Sequence, residues 1–373
     1  MNKIFKLSLS NLTRLNMLIS TPSLQRITSI IFFVFLAISG LYFARQFLIP
    51  LAISALLAML LLPISKWLET RGINRIIAGL CCVFLLLSIL VGLIFLLSWQ
   101  ASGISENIVQ IGIRLQEISN SFRQFIADNL GITTEKQTEW IKNQNPGNQG
   151  TAIGLAGTLL SYMMSIIIKT ILVFVYLFLF LVSRSHLKQF ILMLVPGSEL
   201  KEAEKIISDA GKVSQRYISG LGIMIVILWI MYGIGFSIVG VESALFFAVL
   251  CGILEIVPFI GNLTGSTLTA LMVISQGGSN GMLIGVILTY IFVQFIQTYV
   301  LEPLIVGSEV NINPLFTIVV IVLMEIVWGI AGMILAIPML GIVKIVCDHI
   351  SPLKPYGFLI GKERRTKNSG RNN

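Results

Sequence analysis

Charge is what this chain has least of. Of its 373 residues, 55% are hydrophobic and only 12% are charged, about half the roughly 25% usual in soluble domains. That shortage excludes a water-facing globular enzyme or binding domain. Histidine is nearly absent: His186 and His349 both sit beside polar segments, which leaves little material for histidine-based metal or acid–base chemistry. Neither HExxH nor GxxxxGK[ST] occurs, so the zinc-protease and ATP-hydrolysing readings fall away. The four cysteines, Cys81, Cys82, Cys251 and Cys347, lie in or beside apolar runs without zinc or disulfide spacing and read as packing residues. No cofactor and no metal site is implied.

What the chain has instead is long uncharged runs. A hydrocarbon layer about 30 Å thick needs about 20 predominantly apolar residues of helix. Candidate spans run over 27–43, 47–64, 76–99, 161–182, 218–240, a complicated block at 244–274, 282–301 and 315–343. The expected fold is an all-α polytopic membrane protein of about eight transmembrane helices, with broken or re-entrant helices in its C-terminal half. The first apolar run is long enough to remain as an anchor.

The formal charge of +9 gathers at the ends of these runs rather than along one face. It reads as an orientation signal, not a nucleic-acid footprint. Lys3, Lys6, Arg14 and Arg26 precede the first run; Lys66, Arg71 and Arg75 follow the second; Arg184, Lys188, Lys201, Lys205, Lys212 and Arg216 follow the fourth; KERRTK closes the chain. An even-numbered topology puts all four groups on one side, and positive loops stay cytoplasmic. The expected organisation is a basic segment 1–26, a membrane domain 27–350 and a basic tail 351–373, both termini being cytoplasmic. The polar loop 100–160 is then external and the amphipathic loop 184–216 cytoplasmic. The external loop opens with ENIVQIGIRLQEISNSFRQFIADNLG, whose apolar residues from Ile108 to Ile126 have helical spacing, so an amphipathic helix ending at Gly131 is expected.

A charge inside hydrocarbon costs several kcal/mol unless it faces protein or water, so each one is a candidate for function. Lys169 stands 15 positions before Arg184, roughly 22 Å at 1.5 Å per residue, and snorkelling to headgroups accounts for it. Lys344 and Asp348 share a helix face and read as an ion pair. Glu325 has 15 uncharged residues before it and 18 after it; it reads either as a translocation-site group or as a hydrogen-bonded structural acid. Gly329 and Gly332 beside it permit close helix contact, and Pro338 is expected to break or bend the span.

Glu255 is the other case. Between Ser243 and Leu301 no other side chain is charged. Pro258 lacks a backbone donor, and Gly261 and Asn262 favour a turn, so PFIGN should interrupt the helix inside the membrane. Such interruptions persist only where protein or a water-filled cavity satisfies the freed carbonyls, and they often mark substrate or ion sites. Glu255 is then a neutral acid bonded to a freed carbonyl or a proton carrier. The hydroxyls of Thr264, Ser266, Thr267 and Thr269, and Gln294 with Gln297 at i, i+3, are its candidate polar company. Glu302 and Asn313 extend the candidate route, although Pro303 makes Glu302 equally readable as a helix terminus.

Three motifs then resemble the AI-2E family, autoinducer-2 exporter-like bacterial membrane transporters. They are GILEIVPFIGNLTG at 252–265, LEPLIVGSEVNINPL at 301–315 and WGIAGMILAIPMLGIVKIV at 328–346; YISG at 217–220 matches a fourth more weakly. The resemblance implies a secondary transporter, either exporting a small polar solute such as autoinducer-2 or exchanging sodium or lithium for protons across the inner membrane. A passive oligomeric pore is the competing reading. It also implies membrane lipid as surroundings, no nucleic-acid partner, and a homo-oligomer, with a pentamer as one arrangement. Relatives carry Asn or Glu at the position of Glu255, so a polar group there matters more than an obligatory proton carrier.

Overall fold

A computed structural model describes residues 24–101, 152–257, 260–306 and 312–362. The expected external helix ending at Gly131, the turn at 143–150 and the tail beyond Lys362 lie outside the described residues. Within them the backbone is helical, apart from connecting turns and one isolated bridge between Ile312 and Gly361. The helices fall into two compact units, Met1–Leu48 and Ile49–Asn373.

The first unit holds helix α1 (Leu24–Phe43). Its large side chains from Ile30 to Leu36 are all exposed, as a span whose surroundings are lipid requires. The guanidinium of Arg45 lies 4.5 Å from the centre of the Tyr42 ring.

In the second unit two cores form. Helices α2 (Arg45–Thr70), α3 (Arg75–Ala101) and α4 (Ala152–Met193) enclose Ala58, Leu61, Cys82, Leu177 and Leu181. At one end Arg184 pairs with Glu69 and donates to Ser65 Oγ at 3.3 Å, while Arg75 donates to Ser185 Oγ at 3.0 Å. The basic segments after the second and fourth runs therefore meet at one end of the bundle, as the charge count requires.

The larger core is built on α5 (Leu200–Val239), a single helix of 40 residues. Its buried face repeats every three or four positions through Ser214, Tyr217, Gly220, Met224, Leu228, Tyr232 and Phe236, the stripe expected of a helix that buries one face. Against it pack α6 (Ala244–Leu254), α7 (Ile260–Ser275) and α8 (Asn280–Ile296), which contribute Phe247, Cys251, Met272, Val286 and Val293. Lipid tails are as apolar as leucine, so this association rests on close packing rather than on water exclusion. Helix α8 passes into a π-helix at Gln297–Val306. Then come α9 (Pro314–Trp328), α10 (Ile330–His349) and the short α11 (Lys354–Ile360).

By length and composition, six of the described helices are able to cross a membrane: Arg45–Thr70, Arg75–Gln100, Met164–Met193, Gly197–Val239, Asn280–Ile305 and Ile330–His349. Four shorter apolar helices, Thr28–Phe43, Ala244–Leu254, Leu263–Ser275 and Pro314–Trp328, accompany them. The protein is an all-α, multi-pass membrane protein with interrupted helices in its C-terminal half.

Two local expectations change. The amphipathic loop expected over 184–216 is largely helical: from Leu200 it continues without a break into the next span, and no proline falls between Leu200 and Val239. The run 315–343 is two helices rather than one, and the break is at Gly329 (φ 62°), not at Pro338, which lies buried inside α10. A positive φ interrupts a helix outright and suits glycine. The break lets α10 approach α9 so closely that a Cβ on Gly332 would overlap the Met324 carbonyl.

Candidate functional site

The site grows from the interruption between α6 and α7. Helix α6 ends at Glu255, whose backbone N–H still donates to Cys251 O at 3.0 Å. The turn is held by Val257 N donating to Leu254 O at 2.9 Å and Gly261 N donating to Val257 O at 3.1 Å. Gly261 is required there, since a Cβ would overlap the Leu254 carbonyl. The returning helix presses Gly265 onto Cys251, with 2.9 Å from an added Cβ to Sγ. Pro258 and the side chain of Asn262 lie outside the described residues.

This turn aims Glu255 at the start of the π-helix that follows α8. Its Oε1 accepts a hydrogen bond of 2.7 Å from Gln297 Nε2, across 42 residues of sequence. Gln297 is only 2% exposed. Two further atoms of the pair, Glu255 Oε2 and Gln297 Oε1, are buried with no hydrogen-bond partner among the described residues. Buried polar atoms are normally satisfied, so each such exception asks for an explanation. Both are acceptors, so what is missing is a donor or a cation.

Other polar groups surround the pair. Tyr232 of α5 and Tyr290 of α8 lie within electrostatic reach of Glu255. Glu302, exposed, is within reach of both Gln297 and Glu255, and Tyr217 of α5 lies within reach of Glu302. Gly220 brings α5 against the π-helix, where an added Cβ would sit 2.9 Å from Ile305 O. Tyr217 and Tyr232 are 15 residues apart on α5, roughly 22 Å. A string of polar groups thus follows α5 through most of a bilayer's thickness: Tyr217, Glu302, Gln297, Glu255 and Tyr232.

The remaining sequence candidates divide. Gln294 donates to Thr298 Oγ1 at 3.2 Å. Thr267 and Ser266 donate to Leu263 O at 2.7 and 3.1 Å. Thr269, buried, donates to Gly265 O at 2.9 Å and faces Cys251 Sγ at 3.8 Å. Asn313 caps α9, its side chain accepting from Leu315 N at 3.0 Å, and its backbone N–H donates to Ile360 O. Glu325 lies on α9 between buried Ile321 and Trp328 but is itself exposed. Nothing in the sequence singles out Tyr290, while Tyr217 and Tyr232 read there as ordinary apolar-face residues; their signal is their register on one stripe of α5.

Among known proteins, the model of the AI-2E family transporter matches residues 30–351. The "Putative transport protein YrrI" of Bacillus subtilis (strain 168) is 23% identical over 82% of this chain and 87% of its own. The identically described MJ1177 of Methanocaldococcus jannaschii is 26% identical over 80% and 88%. A transport protein so described from Haemophilus influenzae is 23% identical over 88% and 94%.

Proposed function

The chain belongs to the AI-2E transporter family, and on that premise we propose that it is a secondary transporter whose coupling site is the Glu255–Gln297 pair. The observation that carries this reading is the pair of buried acceptors, Glu255 Oε2 and Gln297 Oε1, without a hydrogen-bond partner among the described residues and set beside a broken helix. A proton on the carboxyl converts one acceptor into a donor, and a bare monovalent cation satisfies both. The exchange of sodium or lithium for protons fits these two acceptors, and export of an autoinducer-2-like solute, whose hydroxyls also donate, is the second arm of the test. The Tyr217–Glu302 side of the polar string supplies one mouth of the route.

The basic segments favour cytoplasmic termini in the inner membrane. Glu325 is exposed on this chain amid Val322, Leu323 and Ile326, a place that lipid disfavours. A homo-oligomer that covers it, or a water-filled passage that wets it, accommodates the charge.

The experiment is flux in vesicles reconstituted with purified protein and an internal pH dye. A sodium or lithium gradient should drive proton movement that Glu255→Gln abolishes. Solute efflux without proton movement would transfer the reading to export, and conductance without counter-transport would transfer it to a passive pore. Cation flux that ignores the pH gradient and survives Glu255→Gln would sink the coupling site.

A further inference from the structure

The three-helix core carries a cavity that the transport site does not use. It has a volume of about 380 Å³ and is bounded by Pro50 and Leu57 of α2, Leu90 of α3 and Phe174 of α4, with Lys169 and Thr170 of α4 on its wall. That volume lies within the roughly 300–1,000 Å³ of small-ligand sites. Apart from Lys169 and Thr170 its lining is apolar, so a hydrogen-bonding solute finds nothing to hold it. An alkyl chain does.

Behind the cavity α2 and α4 are tied through Ser54, whose Oγ lies 2.5 Å from Pro50 O and 3.0 Å from Val173 O. Lys169 is exposed, and no described residue hydrogen-bonds or ion-pairs with it. It sits roughly 22 Å along α4 from Arg184, short of a full hydrocarbon layer, so its ammonium reaches the headgroups opposite Arg184 by snorkelling. Beside it Ile166, Ile168 and Ile171 are turned outward, which opens this wall toward lipid.

We propose that this cavity is a binding site for an anionic phospholipid, one acyl chain filling the space between α2, α3 and α4 while the headgroup phosphate rests on the Lys169 ammonium. The occupant follows from two complementarities: an oily hollow that opens sideways to the bilayer, and a cation at headgroup depth that no described residue pairs. The site is separate from the Glu255–Gln297 pair, and its failure leaves the transport reading untouched.

The test uses the full-length protein in lipid discs of phosphatidylcholine. These are doped with a diazirine-tailed phosphatidylglycerol or with phosphatidylcholine bearing the same tail, and crosslinks are mapped after irradiation. Labelling near Phe95 of α3, which is 71% exposed, supplies the background. Peptides of α2 and α4 around the cavity should take about five-fold more label from the anionic lipid, the factor that corresponds to roughly 1 kcal/mol for one lysine near an anionic headgroup. Lys169→Gln should bring that ratio to one, and Lys169→Arg should keep it. Thr170→Trp, which fills the hollow, should bring labelling of these peptides by both lipids down to that background. Equal labelling by the two lipids, or an anionic preference that survives Lys169→Gln, overturns the proposal.

Discussion

Removing the Glu255–Gln297 bond one partner at a time measures both its strength and its state. The perturbations are Glu255→Leu, Gln297→Leu and the double variant, each close in volume to the residue it replaces. The bond is short at 2.7 Å and its donor residue is nearly inaccessible, so water offers little compensation when one side is lost. A neutral hydrogen bond contributes about 0.5–1.5 kcal/mol and one to an ionised group about 1.5–3 kcal/mol. Each single variant also leaves its partner's polar atom orphaned, adding to the loss; the double variant leaves neither. The coupling energy from the cycle should therefore be about 1 kcal/mol if the carboxyl is neutral under the assay conditions and about 2 kcal/mol if it is ionised. Reversible unfolding in mixed micelles reads all four proteins. Additivity within about 0.5 kcal/mol, the limit for residues that do not interact, would refute the pairing and with it the coupling site.

Three further outcomes follow from the packing and the caps. Gly332→Ala should lower stability by about 1–3 kcal/mol, the usual cost of overpacking, because its Cβ has no room against Met324 O. Gly79→Ala, whose Cβ would meet Phe178 at an ordinary 3.4 Å, should unfold close to the parent; equal losses in the two variants would contradict the α9–α10 contact. Glu69→Arg should reduce the yield of folded protein by setting two cations together, and Glu69→Arg with Arg184→Glu should restore it, read by gel filtration in detergent; no rescue would argue against the ion pair that joins α2 to α4. Asn313→Ala should cost about 0.5–2 kcal/mol through loss of an N-cap, whereas Asn313→Ser should keep both stability and vesicle flux. A flux lost in Asn313→Ser at parental stability would make Asn313 a route residue instead of a cap.

The membrane class, the interruption after Glu255 and the ion pair of Lys344 with Asp348, 2.5 Å in the structure, were all legible in the sequence, because each depends on local chemistry. Missing charge marks a span, Pro258 removes a donor, and i, i+4 spacing joins opposite charges. The position of the second break was not legible. Proline and glycine both stood in 315–343, and the outcome turned on Gly329 having to adopt a positive φ while Pro338 found room in the core. Such a choice depends on neighbouring helices that a single segment does not reveal.

The same limit explains how Gln297 and Glu302 came together. In an α-helix of 3.6 residues per turn, positions five apart point about 140° away from each other, so the ordinary period separates these two side chains. The chain widens to a π-helix over Gln297–Val306, with Pro303 inside it. Proline cannot make the i→i−4 bond and its ring crowds that carbonyl; the looser i→i+5 turn relieves the crowding and brings positions five apart onto one side. Pro303, which on sequence grounds makes Glu302 equally readable as a helix terminus or a route residue, lies inside the π-helix and keeps the carboxyl within reach of Gln297. Residue spacing names Glu255, Gln297 and Glu302 as candidates on one route, and it is the change of helical pitch that sets Glu302 within reach of Gln297.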